Sequence, residues 1–191
     1  VMIQRLREAE RSIVYDEFSN RQDDIITGII QRIEQRNVYV DLGKAEAVLP
    51  VSEQIPTETY AIGQRIKCYV VEVRKTTKGA QILVSRTHPG LLKRLFELEV
   101  PEIYDGVVEL KSVAREPGRR SKIAVYSRDE NVDCVGACVG PKGTRVQNIV
   151  TELQNEKIDI VKWDEDPAVY IANALSPATV VSVTVDEAEK T

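Results

Sequence analysis

Histidine, tryptophan and methionine each occur once in these 191 residues, and cysteine three times. A lone His88 leaves no imidazole set for a metal and no partner for a Ser/His or Cys/His nucleophile. Cys68, Cys134 and Cys138 are too few and too scattered for a disulfide framework. Cys134 and Cys138 share one helical face without a Cys-x-x-Cys, so burial as small core residues is the reading. No apolar run approaches the ~18 residues that span a bilayer, and the N-terminus carries no signal-peptide core. A cytoplasmic chain with no membrane partner is expected. Clustered carboxylates at metal spacing and a Gly-rich loop in a nucleotide-binding βαβ setting are also missing, so neither an enzyme nor a cofactor is expected.

What is present is charge, 29% of the residues, unevenly distributed. The formal net charge of −4 argues against a nucleic-acid partner until it is divided along the chain. Residues 1–106 hold 15 Lys/Arg against 16 Asp/Glu, residues 107–150 hold 8 against 5, and residues 151–191 hold 3 against 9. Within the positive stretch Lys111, Arg115, Arg119, Arg120, Lys122 and Arg128 face only Glu116 in sequence, which predicts a local field able to attract phosphate.

The same stretch contains Gly140-Pro141-Lys142-Gly143. Val132, Val135 and Val139 precede it at helical spacing, and Val146, Ile149, Val150 and Leu153 follow at i, i+3, i+4 and i+7. Two short helices are therefore joined by a tight turn. Glycine admits φ > 0 and proline presets one φ, so the turn is expected to offer free N–H groups at a helix start. Lys142 adds a point charge there and Arg145 a forked donor. Turning a corner is the commoner use of any single Gly-x-x-Gly, and the surroundings have to decide. Those are strand-like runs at 107–114 and 122–126 before it, and Lys157 to Lys162 after it, with Ile158 and Ile160 on one face. That order resembles the type II (bacterial) KH domain over residues 89–163, an α+β fold whose Gly-x-x-Gly loop clamps a nucleic-acid backbone.

Upstream, residues 24–86 break into five short β-rich runs, 25–33, 37–42, 45–49, 65–74 and 80–85, a spacing that predicts a small closed barrel. Val38, Val40 and Leu42 share one face of the second run, which turns Tyr39 and Asp41 outward. Tyr39 is then either a stacking platform for a base or a tyrosine that merely tolerates solvent. Lys67 and Tyr69 alternate outward in the fourth run. The run Asn37-Val38-Tyr39-Val40-Asp41-Leu42-Gly43, with Ala47 to Glu53 after it, resembles the S1 RNA-binding domain, a five-stranded OB-fold barrel. It departs from that pattern at Arg36 or Asn37, where an aromatic is common, and at Pro50, where histidine is usual.

Four segments result. Residues 1–20 read as a helix with no start signal, either an ordinary N-terminal helix or a connection from a preceding domain that is missing. Residues 21–88 are S1 and 89–163 are KH, with Thr87 or His88 near the cap of a helix starting at Pro89. Residues 164–191 look like a linker and the truncated start of a second KH domain, with a helix at 168–175 and a strand at 179–185. The order S1 then KH, with Glu17-Phe18, Thr87-His88-Pro89, Val135 to Arg145, Lys157-Ile158-Asp159-Ile160 and Ala174 to Ala178, is similar to the Nus family of bacterial transcription termination/antitermination factors. Polynucleotide phosphorylase carries both modules in the opposite order. The resemblance implies a monomeric, mixed α and β multidomain RNA binder. Its implied partners are single-stranded nascent transcript, RNA polymerase through the missing N-terminal domain, and other Nus factors. The RNA-binding residues it implies are Gly140, Pro141, Lys142, Gly143, Arg145, Lys111, Arg119, Arg120, Lys122, Tyr39 and Lys67.

Overall fold

The computed structural model describes residues 2–186 and Ala188. The chain divides into two units, residues 1–94 and 95–191.

In the first unit β1 (Ile25–Glu34), β2 (Asn37–Asp41), β3 (Glu46–Leu49), β4 (Arg65–Thr76) and β5 (Gly79–Ser85) close into a barrel of order β1-β2-β3-β5-β4. The alternation that predicted the strands is the alternation of burial: Val38 and Val40 of β2 and Ala47 and Leu49 of β3 face inward, with Ile26, Ile30, Ile66, Val70, Ile82 and Val84. One position in β1 tolerates no side chain at all. A Cβ on Gly28 would stand 2.4 Å from Val40 Cγ1 and 2.6 Å from the Asp41 carbonyl oxygen, so glycine is what lets β2 cross this closely.

Helix α1 (Met2–Ser19) belongs to this unit and is more than a connection. Phe18 enters the barrel core, with Val14 and Tyr15 packed beside it. Arg11 donates to the Thr77 carbonyl at 2.6 Å, and Lys44 pairs with Glu17 at 2.9 Å. Its other face leaves Met2, Ile3, Leu6 and Ile13 exposed.

The long β3–β4 connection is secured by a buried ion pair. Arg86 and Glu58 are almost fully enclosed; Arg86 Nε donates to Glu58 Oε2 at 3.0 Å, Nη1 donates to the Lys67 carbonyl at 2.7 Å, and the Tyr60 hydroxyl donates to Glu58 Oε2 at 2.8 Å. Burial, then the neighbouring Glu58 charge, raise the Tyr60 phenol well above its ordinary range, so it stays a donor. Beside this pair Glu53 accepts from the Thr87 hydroxyl at 2.9 Å, and Ser85 Oγ accepts the Thr87 and His88 N–H groups at 3.1 and 3.0 Å. Helix α2 (Pro89–Glu99) starts as expected, with His88 Nδ1 accepting the Gly90 N–H at 2.9 Å and the imidazole stacked on Tyr69, centroids 4.3 Å apart.

The second unit, entered within α2, contains α3 (Pro101–Tyr104) and a sheet of order β6-β7-β8: Val108–Glu116, Arg120–Ser127 and Lys157–Lys162. β6 and β7 are antiparallel, whereas β7 and β8 are parallel, which requires a crossover. The crossover is α4 (Cys134–Val139), a turn at Pro141–Gly143, and α5 (Thr144–Glu152). Asp133 caps α4 by accepting the Gly136 N–H at 3.0 Å. Ile123 and Val125 on β7, Cys134 and Cys138 on α4, and Ile149 and Leu153 are buried. Burial, and then the adjacent Cys134, push the Cys138 thiol up to about 12, which keeps it a protonated core residue as expected.

At one end of this sheet Glu156, fully buried, accepts four hydrogen bonds. Arg115 donates through Nε at 2.9 Å and Nη2 at 3.0 Å, the Gly118 N–H at 2.8 Å and the Ser121 hydroxyl at 2.7 Å. Burial would raise this carboxyl, yet the Arg115 pairing and the Gly118 and Ser121 donors outweigh it and hold Glu156 below the ordinary carboxylate range.

Beyond β8, α6 (Pro167–Ala174) forms where a helix is predicted, capped by Asp166. The strand expected at 179–185 does not form: the stretch is irregular, with Val181 98% exposed. A β-branched run becomes a strand only with a partner to pair its backbone, and no strand of the described residues lies beside it.

Candidate nucleic-acid interface

The turn between α4 and α5 owes its shape to residues that other side chains could not replace. Gly140 has φ 75° and ψ 173°, a conformation essentially reserved for glycine, and a Cβ there would stand 2.6 Å from Arg145 Cγ. Gly143 is left-handed at φ 76°. Lys142 between them is also left-handed, φ 54°, and its exposed side chain forms no ion pair among the described residues. Not all the expected N–H groups are free. The Gly143 N–H returns to the Gly140 carbonyl at 3.1 Å and the Thr144 N–H to that of Pro141, so the turn closes on itself.

A cavity of about 260 Å³ is lined by Val139 and Val146 from the helices that flank the turn, by Ile158, Asp159, Ile160 and Val161 of β8, by Arg120 of β7, and by Ser176-Pro177. Val139, Val146, Ile158 and Ile160 are half-buried, neither core nor free surface. The size falls just under the ~300 Å³ at which drug-sized sites begin. Periodicity placed Val139 and Val146 at helical spacing and Ile158 and Ile160 on one strand face. What it could not show is that β8 is an edge strand, so the seam between it and the helices stays open on one side.

The basic residues do not form the expected field, because most have partners distant in sequence. Arg115 is buried with Glu156, Arg120 bonds Asp159 at 2.5 Å, and Lys111 and Arg128 share Glu109 at 2.6 and 2.7 Å. Lys111 also lies 5.2 and 5.0 Å from the Tyr126 and Trp163 rings. Lys122 donates to the carbonyls of Ala174 and Ser176, at 2.5 and 2.8 Å. Arg145 works as a strut: Nη1 donates to Glu102 at 2.9 Å and to the Ala137 carbonyl at 2.6 Å, tying the turn to α3 and α4. Of the positions expected to meet phosphate, Lys142 and Arg119 alone are exposed without an ion pair among the described residues.

On the barrel, Tyr39 does point outward, onto a cavity of about 590 Å³ that Arg11, Lys44 and Lys78 share with Glu10 and Glu46. One ring face is covered. The Arg32 guanidinium carbon lies 3.9 Å from the centroid, held there by Glu46 at 2.7 Å and Glu34 at 3.2 Å. Lys67, half-buried on β4, is not brought to Tyr39, since β1 separates β4 from β2. Tyr69, expected outside, is buried beneath His88 and donates to Asp23 at 3.0 Å. No helix of the described residues is long and apolar enough to cross a membrane.

Residues 20–85 match the S1 RNA binding domain and residues 86–163 the NusA-like first KH domain. Over its full length the chain is 67% identical to a transcription termination/antitermination protein NusA of Halalkalibacterium halodurans, covering 50% of that protein. The corresponding figures are 64% and 51% for the protein of that name from Bacillus subtilis, and 53% and 50% for the one from Thermus thermophilus. The chain thus spans about half the length of the curated relatives it matches. Two matched modules in the order S1 then KH, an exposed Gly-x-x-Gly turn beside a groove, and this level of identity along the whole chain show that it belongs to the NusA family.

Proposed function

We propose that this chain is the RNA-reading part of a transcription elongation factor, binding single-stranded nascent transcript while the complete protein acts with RNA polymerase to modulate pausing, termination and antitermination. The observation that carries the reading is the left-handed, exposed Lys142 at the tip of a glycine-framed turn, adjoining a groove. A phosphate held at the tip leaves its base free to enter the seam, which is how such a loop grips a strand without reading its sequence strongly. The chain supplies binding and no chemistry. RNA polymerase and other Nus factors are reached by the assembled factor.

Labelled single-stranded RNA incubated with the chain and Mg²⁺ should be retained and stay intact, with affinity falling as salt rises. Degraded RNA would mean an enzyme, and RNA neither degraded nor retained would mean a scaffold.

The barrel contribution is smaller. With Arg32 on one face of Tyr39, a base reaches only the other face, so Tyr39→Ala should cost about 1 kcal/mol, the lower end for a base-stacking aromatic, with the salt slope unchanged. Filter binding across a salt series reads both quantities, and an unaltered affinity would remove Tyr39 from the site.

A further inference from the structure

We infer that Lys122 sets the width of the base groove by fixing its far wall, and does not hold phosphate. The inference rests on the RNA-binding reading above. Lys122 lies on β7, opposite Asp159 in the parallel register and on the sheet face away from Ile123 and Val125. Its ammonium spends two donors on the carbonyls of Ala174 and Ser176, the residues that follow α6. Through that hold the chain folds back so that Ser176 and Pro177 line the same cavity as Val139, Val146, Ile158 and Ile160.

The helix behind this wall is itself anchored. Asn173 Nδ2 donates to the Lys162 carbonyl at 3.1 Å, and the Tyr170 and Ser112 hydroxyls bond at 2.7 Å. Past Ala174 it is Lys122 that ties the backbone to the sheet, through the Ser176 carbonyl. A base in the groove gains from contact on both faces, because dispersion falls off steeply with a gap of even half an ångström. One wall is built by the Gly-x-x-Gly helices, through Val139 and Val146. The other is a loop segment that stays at the right distance only while its carbonyls are held. Lys122 is thus a positioning residue: it acts on RNA through Ser176-Pro177, and a salt titration tells it apart from a phosphate ligand.

The test compares the unaltered chain with Lys122→Met, Lys122→Arg and Pro177→Gly, using short single-stranded RNA in which an abasic nucleotide is walked along the strand. Lys122→Met should weaken binding of intact RNA about tenfold, and at the sensitive position it should shrink the penalty of the abasic nucleotide, since a base with one wall contributes less. The salt slope should not change. Lys122→Arg, whose fork also reaches two carbonyls, should restore most of the affinity. Pro177→Gly should reproduce the effect with Lys122 in place, which keeps the test valid if Lys122→Met does not fold. A slope reduced by ~1 would make Lys122 a phosphate ligand and overturn the inference. So would unchanged affinity and abasic penalty in Lys122→Met and Pro177→Gly. Absence of RNA binding by the unaltered chain would overturn the functional reading as well.

Discussion

Glu156→Gln should destabilise the second unit by about 3–5 kcal/mol, because it takes from the buried Arg115 guanidinium the carboxylate charge that it pairs with. Few single substitutions in this chain leave so much unsatisfied. The carboxylate receives Arg115 twice, the Gly118 N–H and the Ser121 hydroxyl, and both members of the ion pair are fully enclosed. An amide keeps the volume but turns one acceptor into a donor aimed at other donors. Trp163, the single tryptophan, lies edge-on to Tyr126 in this unit, so its fluorescence in a denaturant series reports the loss. A loss below about 1 kcal/mol, the size of an exposed pair, would refute a structural role for the network. Replacing both partners by apolar residues of similar volume should recover only part of the stability, because the Gly118 N–H and the Ser121 hydroxyl still lose their acceptor.

The effect should also depend on pH in a defined direction. Glu156 is held below its ordinary value in the folded chain, so its stabilisation is complete above the unfolded glutamate pKa of about 4.3 and disappears as pH falls through the folded value. The gap between the unaltered chain and Glu156→Gln should therefore be constant near neutrality and narrow in acid. A gap that widened as pH fell would contradict the assignment.

Changing Pro141 and Lys142 together to aspartate should cost about 2–4 kcal/mol of RNA binding, thirty-fold or more, by removing a charge-assisted contact and placing two negative charges at a helix start that favours anions. The fold should tolerate it. Lys142 is left-handed at φ 54°, a region in which aspartate is enriched, and both glycines that frame the turn are kept. Lys142→Ala alone should weaken binding evenly across sequences and lower the salt slope by ~1. Binding and thermal stability have to be measured side by side. Full affinity in a folded double variant would remove the turn from the interface.

Local pattern was enough for most of the architecture. The five barrel strands form within a few residues of where alternation and turn chemistry put them, and Gly140 and Gly143 take the positive φ that their turn demanded. What local pattern could not convey is who neutralises whom. Arg115 finds Glu156 and Arg120 finds Asp159 across about forty positions, so a run of basic residues that looks like an open field in sequence is mostly an internal truss. The same holds for Phe18, whose helix carries too weak an apolar stripe to announce that one ring plugs the barrel. At 179–185 the error ran the other way: β-propensity describes a surface that a neighbour completes, and none of the described strands completes it.

The Arg86–Glu58 pair bears on how such a chain should be cut. The S1 match ends at residue 85 and the KH match begins at 86, so a boundary drawn by similarity passes between Ser85 and Arg86. Physically Arg86 belongs to the barrel: its guanidinium is sealed against Glu58 and the Lys67 carbonyl. A barrel excised at that boundary would carry an orphaned carboxylate in its interior, a defect of roughly 3–5 kcal/mol in a small domain whose whole stability is of similar size. The stretch that matches S1 and the unit that holds itself together therefore differ: the packed unit also takes in Phe18 before the match, and Arg86 and His88 after it.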